Sequence, residues 1–247
     1  MRQTKRDGDN MGFFDFLFGG EAGQVKRHIK RLSNLNAQKE ERTASAHWLA
    51  ENGTEEAILG MLKRFEMTYE HRMKDTEEKD LVYNLLLSMG PRVAQPVRQW
   101  VRSNQNFAIP LRLLDHFEGK DAVVEVLLEM LGREVDPFKT EKKRQILIRL
   151  AEYRDPRIIE RVPASLEDFD GEIRYAAAET LIAQETSEVR TALAAALANP
   201  KEESNRLRVR IAQAFQQRSW SLGEHTEAIA ENPPVGWGVS GDRIAPA

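Results

Sequence analysis

The sequence predicts an all-α fold, a right-handed α-solenoid of about six stacked helix pairs, because paired helical runs recur along it. A short C-terminal β-hairpin and a disordered tail are the two readings of its last residues. Three observations carry the fold class. Ala (26), Leu (24), Glu (27) and Arg (24) make up 101 of the 247 residues, and all four are good helix formers. Val, Ile and Thr together reach only 36, which argues against a sheet-rich core. The third observation is a repeat of a helical run, a short break and a second helical run.

That repeat covers residues 41–65, 80–102, 109–131, 144–166, 173–197 and 207–229. Its breaks fall at Gly53, Gly90, Gly119, Asp155, Glu185 and Ser219, spaced by 37, 29, 36, 30 and 34 residues. In the first helices Leu81, Leu85, Leu86 and Met89 share a face, as do Ile146, Leu147, Leu150 and Ala151, and Leu207, Ile211, Ala214 and Phe215. In the second helices Val93, Val97, Trp100 and Val101 line up, then Val123, Val126, Leu127, Met130 and Leu131, then Ala192, Leu193, Ala196 and Leu197. These are helical spacings. One such pair cannot bury its apolar faces alone, so neighbours must stack. An earlier amphipathic run with Val25, Ile29, Leu32 and Leu35 on one stripe reads as a first helix or N-terminal cap.

Helix punctuation follows the same frame. Thr54, Thr76, Thr140 and Ser187 stand where N-caps are wanted, and Asn199-Pro200 pairs a cap with Pro at the first helical position. Pro91 and Pro156 also fall at helix starts, whereas Pro96 and Pro163 lie deeper and predict a kink or an early end.

The run Asp170-Gly-Glu-Ile-Arg-Tyr-Ala-Ala-Ala-Glu-Thr-Leu181 resembles the HEAT pattern shared with phycobilisome-lyase-like HEAT repeats. Glu41-Arg-Thr-Ala-Ser-Ala-His-Trp-Leu49 and Asn205-Arg-Leu-Arg-Val-Arg-Ile-Ala-Gln-Ala-Phe215 are similar in spacing. The opening Met11-Gly-Phe-Phe-Asp-Phe-Leu17, the Asp155-Pro-Arg-Ile-Ile159 run and the Pro-Pro-Val-Gly-Trp-Gly-Val ending resemble a group of small bacterial HEAT-repeat proteins. The resemblance implies an armadillo-like solenoid and gives Arg174 a structural role, paired with acids of the neighbouring repeat. It implies no activity. The expected organisation is an N-terminal extension with a Phe-rich segment (1–20), a repeat region (21–230) and a Pro/Gly tail (231–247).

Composition narrows the function. With 36 basic and 39 acidic side chains the net charge is −3, which disfavours nucleic-acid binding by bulk electrostatics. No cysteine is present, so there are no disulfides or thiolate ligands, in keeping with a cytoplasmic protein. The longest apolar stretch, 11–20, is interrupted by Asp15 and is far shorter than the roughly 20 residues of a membrane span. His28, His47, His71, His116 and His225 have no metal-ligand spacing. There is no nucleophile elbow and no Gly-rich phosphate loop. No cofactor, metal or catalytic residue is therefore expected.

The expected function is a non-enzymatic scaffold or adaptor that binds another protein. Polar positions off the apolar stripes are its candidate surface: Arg98, Arg102, Glu125, Glu129, Arg157, Glu160 and Arg161. Phe13, Phe14, Leu17 and Phe18 share one helical face and read as an intramolecular cap or a docking peptide. Contact of residues 12–18 with a membrane surface is a weaker reading of the same face. A lyase-like or chromophore-handling protein is one alternative. A nucleic-acid binder is another, and it requires Lys26, Arg27, Lys30 and other cations to converge on one groove. In the tail, Val235–Val239 and Arg243–Ala245 are the hairpin candidate, with Trp237 expected to pack on the last repeat.

Overall fold

The computed structural model describes residues 20–133 and 140–247. They are mostly helical and end in a two-stranded antiparallel hairpin. The chain forms two compact units, one through Val123 and one from Val124 on. The first holds α1 (Glu21–Leu32), α2 (Lys39–Asn52), α3 (Glu55–Leu62), α4 (Arg72–Ser88), α5 (Ala94–Ser103) and the first part of α6 (Ala108–Arg133). The second holds the remainder of α6, then α7 (Thr140–Leu150), α8 (Pro156–Arg161), α9 (Gly171–Ala183), α10 (Arg190–Ala198), α11 (Asn205–Arg218) and α12 (Thr226–Glu231). Strands β1 (Trp237–Ser240) and β2 (Arg243–Pro246) close it.

The expected breaks are where the helices stop. Gly53, Gly90, Gly119, Glu185 and Ser219 have φ of 66°, 79°, 80°, 59° and 51°. A left-handed residue carries the chain out of the helix. Gly119, with ψ 176°, divides α6 into two helices. The sixth break uses another device: Asp155 is extended and accepts the Arg157 N–H at 2.9 Å, ahead of Pro156. Pro163 ends α8 early, and a 3-10 segment, Val162–Glu167, follows. Pro96 breaks nothing, because α5 begins only at Ala94 and the missing N–H falls in its first turn.

Caps agree in part. Thr54 accepts from Ala57 N–H at 3.3 Å. Thr76 is no cap: α4 starts at Arg72, and the Thr76 hydroxyl donates to the Arg72 carbonyl at 3.0 Å. Ser187 is displaced by Thr186, which accepts from Glu188 N–H. Asn199 caps only a local turn, and Ser204 starts α11. Thr140 is the first residue of α7.

Within each unit alternate helices pack side by side. In the first, α1, α3 and α5 form one layer and α2 and α4 another. In the second, α7, α9 and α11 form one layer, while Val162–Glu167, α10 and α12 form the other. Side-chain bonds between neighbours in a layer span 31 to 38 residues of sequence: Lys39 to Glu77 over 38, Arg42 to Glu78 over 36, Thr180 to Leu147 over 33, Arg210 to Glu179 over 31. Apolar stripes fill the space between layers. Leu49, Ile58, Leu86, Val97 and Leu113 are fully or almost fully buried in the first unit, and Ile146, Leu150, Ile173, Leu193 and Ile211 in the second.

The first unit also buries charge. Arg64 is wholly inaccessible and donates to Asp75 at 2.7 Å and to the Met67 carbonyl at 3.1 Å. Arg42 holds Glu78 through Nε at 2.9 Å. Burial alone would raise the Asp75 carboxyl, but bonds from Lys79 and Arg64 outweigh it and hold the group below its usual range. Tyr69 sits between the guanidinium groups of Arg42 and Arg64, at 5.0 and 4.8 Å from its ring centre.

The hairpin forms where the sequence suggested, with Trp237 opposite Pro246 and Ser240 opposite Arg243. Gly241, at φ 62°, makes the turn. Strand β2 packs on α11, and the Leu222 N–H donates to the Asp242 carbonyl at 2.7 Å. The buried anchor is Ile244, at 3% exposure, while Trp237 is only half-buried.

Candidate functional site

The layer α1–α3–α5 leaves a groove of about 990 Å³ in the first unit. Its geometry begins with Gly60, a residue of α3 on which a Cβ would lie 2.3 Å from Cγ1 of Ile29. The missing side chain lets α1 approach α3 closely. Stacking of His28 on Trp48, centroids 4.2 Å apart and planes at 12°, holds α1 from its other side. Burial first, then the charges of Arg31 and Arg27, lower the His28 pKa from its usual value.

Ile29, Leu59, Met67 and Trp100 supply the apolar lining. Trp100 is 6% exposed, and its Nε1–H finds no acceptor. Ser33 Oγ, also on the lining, is buried without a partner. Orphan polar atoms cost stability unless something binds them. Asn104 fixes the end of α5 by donating its side-chain amide to the Trp100 carbonyl at 2.9 Å. Lys26, Lys30 and Lys63 stand at the rim with Glu55 and Glu56. Mixed charge around an apolar floor suits a polypeptide segment better than a phosphate backbone, which needs cations in excess.

A second groove, about 950 Å³, lies in the other unit between the 163–169 stretch and α10. Ala192, Ala195 and Ala196 make it shallow, and Phe169 projects beside it at 92% exposure. Arg174 holds this edge. It donates to the Asp168 and Phe169 carbonyls at 2.9 and 3.0 Å and grips Glu202 at 2.6 and 3.0 Å. Burial pushes the Glu202 carboxyl up, but the bonds from Arg174 and the Ser204 N–H prevail and keep it lowered. The partner of Arg174 is thus 28 residues on. A third cavity, about 480 Å³, opens over Arg42, Tyr69 and Glu78, whose charges are already matched.

The positions expected to bind a partner are dispersed. Arg98 and Arg102 are on α5, but the groove takes Gln99, Trp100, Ser103 and Asn104 from that helix. At about 100° per residue, the two arginines lie roughly 150° round from that face. Arg98 is paired with Glu118. Glu125 and Glu129 follow one another on α6, where Glu129 meets Arg133 at 2.6 Å. Arg157 is turned onto Asp155 at 2.7 Å, while Glu160 and Arg161 are exposed on α8. Phe13, Phe14, Leu17 and Phe18 lie outside the described residues. Lys26 and Lys30 reach the groove, joined by Lys63, but they share it with two carboxylates. The sequence offered no sign that Trp100, Gly60 or Phe169 would be distinctive, since each fits an ordinary helical or loop pattern.

Among the described residues no group of three or more His, Asp or Glu side chains could hold a metal, and no helix is long and apolar enough to cross a membrane. No protein-family model matches the chain, and no curated protein matches it significantly. Among solved structures, the crystal structure of an engineered protein is similar at 16% identity over 84% of each chain, with a TM-score of 0.32. A likeness that distant carries no argument.

Proposed function

We propose that the chain is a HEAT-like helical-repeat scaffold, a non-enzymatic adaptor that receives an apolar segment of another protein in the α1–α3–α5 groove. The observation that carries this reading is the groove itself, lined by the apolar side chains of Ile29, Leu59, Met67 and Trp100 and rimmed by Lys26, Lys30 and Lys63 together with Glu55 and Glu56. Such a site rewards a ligand with apolar bulk and charges of both signs at its edges. The repeat reading is supported by inter-helix bonds at 31 to 38 residues and by left-handed residues at five breaks.

The test is affinity purification from the source lysate with the wild-type chain and with Leu59→Lys, which places a charge on the groove floor. A partner retained by the wild type and lost by a stably folded Leu59→Lys supports the reading. A partner bound equally by both excludes this groove, and retention of no protein by the wild type excludes an adaptor.

A further inference from the structure

We infer that the second unit carries a self-complementary surface around Phe169, through which two copies of the chain pair about a two-fold axis. This face is distinct from the α1–α3–α5 groove, and the inference stands independently of the adaptor reading.

A fixed, projecting ring is the first observation. Phe169 is 92% exposed, more than any other large apolar side chain among the described residues. The backbone that carries it is pinned. The Arg174 guanidinium donates to the carbonyls of Asp168 and Phe169 at 2.9 and 3.0 Å. Lys143 holds the Asp168 carboxylate at 2.6 Å, and Asp170 caps α9 by accepting the Glu172 N–H at 2.7 Å. The ring is thus held in solvent by a rigid support.

What lies beside the ring is the second observation. The groove of about 950 Å³ has two walls. The 163–169 stretch brings Glu167 and Phe169 to one; α10 and the turn after it bring Ala192, Ala195, Ala196 and Lys201 to the other. Ala195 is exposed, and Ala192 and Ala196 are half-buried, so the second wall is a shallow apolar hollow. Glu167 and Lys201 are exposed, and neither has an ion-pair partner among the described residues. One wall therefore holds a knob and an acid, the other a hollow and a base. An exposed apolar patch rimmed by charge marks an interaction surface.

An isologous interface requires that residue i of one copy meet residue j of the other, and j meet i. A two-fold axis that lays the first wall of each copy on the second wall of its partner does this. Phe169 then covers the alanines and Glu167 faces Lys201, in both directions. The patch supplies both halves of the contact, which selects a second copy as the occupant. Size sets its strength. Helix α10 has 9 residues and is about 13 Å long, so the contact falls short of the roughly 800 Å² per partner of a stable complex. The dimer is a transient one, with a Kd of about 10–200 μM.

Sedimentation equilibrium of the full chain, from about 5 μM to about 1 mM, reads this association. Phe169→Lys and Ala195→Glu, both at exposed positions, are compared alone and mixed in equal amounts, after thermal melts matching the wild type. The wild type should dimerise, and each variant alone should raise the Kd about tenfold or more, because a charge then faces apolar surface in both contacts. The mixture should return to within about threefold of the wild type. In it one contact keeps phenylalanine on alanine and the other gains a pair of opposite charges. A wild type that stays monomeric throughout overturns the inference. So does a dimer that neither variant weakens, a mixture no tighter than the variants alone, or assembly beyond two copies. Leu59→Lys should leave the Kd unchanged, and loss of the dimer in that variant overturns the inference too. None of these failures touches the lysate test of the adaptor reading.

Discussion

Replacing Arg174 by methionine should destabilise the second unit by an amount that the structure constrains. Methionine keeps much of the apolar stem but removes two bonds to Glu202 and two to the carbonyls of Asp168 and Phe169. The Glu202 side chain is 3% exposed and that of Arg174 19%, so the carboxylate is left buried with only the Ser204 N–H. Losing one partner of a buried pair costs about 3–5 kcal/mol when both are sealed from water; the partial exposure of Arg174 reduces this to ~2–4 kcal/mol. At 2–4 °C per kcal/mol for a chain of this size, the melting temperature falls by roughly 5–15 °C. The pH dependence adds a sign. The Glu202 pKa is lowered from 4.5 in the folded protein, so its contribution is present above that value and is lost as pH falls through the folded pKa. In Arg174→Met burial dominates and raises the folded pKa, so acidification relieves the strain instead. Urea unfolding at neutral pH and at a pH near 4, with hydrogen exchange read on residues 168–174 and 199–204, measures both effects. A loss below about 1 kcal/mol, or a coupling near zero in a double-mutant cycle with Glu202→Gln, would refute the clamp.

Gly60→Ala gains about 1 kcal/mol of helix propensity but drives a methyl to 2.3 Å from Ile29. Overpacking costs about 1–3 kcal/mol, so net destabilisation is expected, and the double variant with Ile29→Ala should recover it in thermal melts. Tyr69→Phe removes a hydroxyl beside Glu78 but keeps the ring between the guanidinium groups of Arg42 and Arg64, and should change stability in urea by less than about 1.5 kcal/mol. Thr180→Val, by contrast, loses the single hydroxyl proton shared between the Leu147 and Ala176 carbonyls, at 2.8 and 2.7 Å, and should cost about 1–2 kcal/mol. Because the His28 pKa is lowered below 6.5 on folding, its unfolded form binds the proton first as pH falls. Stability should therefore decline below about 6.5, and His28→Gln should flatten that limb of the pH–stability profile.

Helix content, the six breaks and the terminal hairpin were legible because each depends on local physics. Gly53, Gly90 and Gly119 tolerate the left-handed backbone that ends a helix, and apolar spacing marks the face that must be covered. Ser219 and Glu185 were legible only through the repeat spacing, since their types do not favour positive φ. Arg174 was legible through resemblance, whereas the identity of its partner, Glu202, emerged only with the fold. The binding face was harder. Val97 and Trp100 share a stripe in the sequence, yet Val97 enters the core while Trp100 also floors a groove. A turn of about 100° per residue separates Arg98 from Gln99, and only the neighbouring helices decide which of the two overlooks the groove.

The sequence by itself determined the helical class, the positions of the breaks and most of the stripes that are buried, because propensity and periodicity act within a few residues; several helix starts, such as those at Arg72 and Asn205, it did not. Tertiary structure decided what those stripes leave uncovered. The closeness of α1 to α3 at Gly60 arises from a contact between helices 31 residues apart in sequence, and the orphaned Trp100 Nε1 and the exposed Phe169 are set by what the surrounding elements do or do not bring against them. A side chain's partners in a packed layer are set by inter-helix distance and rotation, and neither is encoded in any single window of residues.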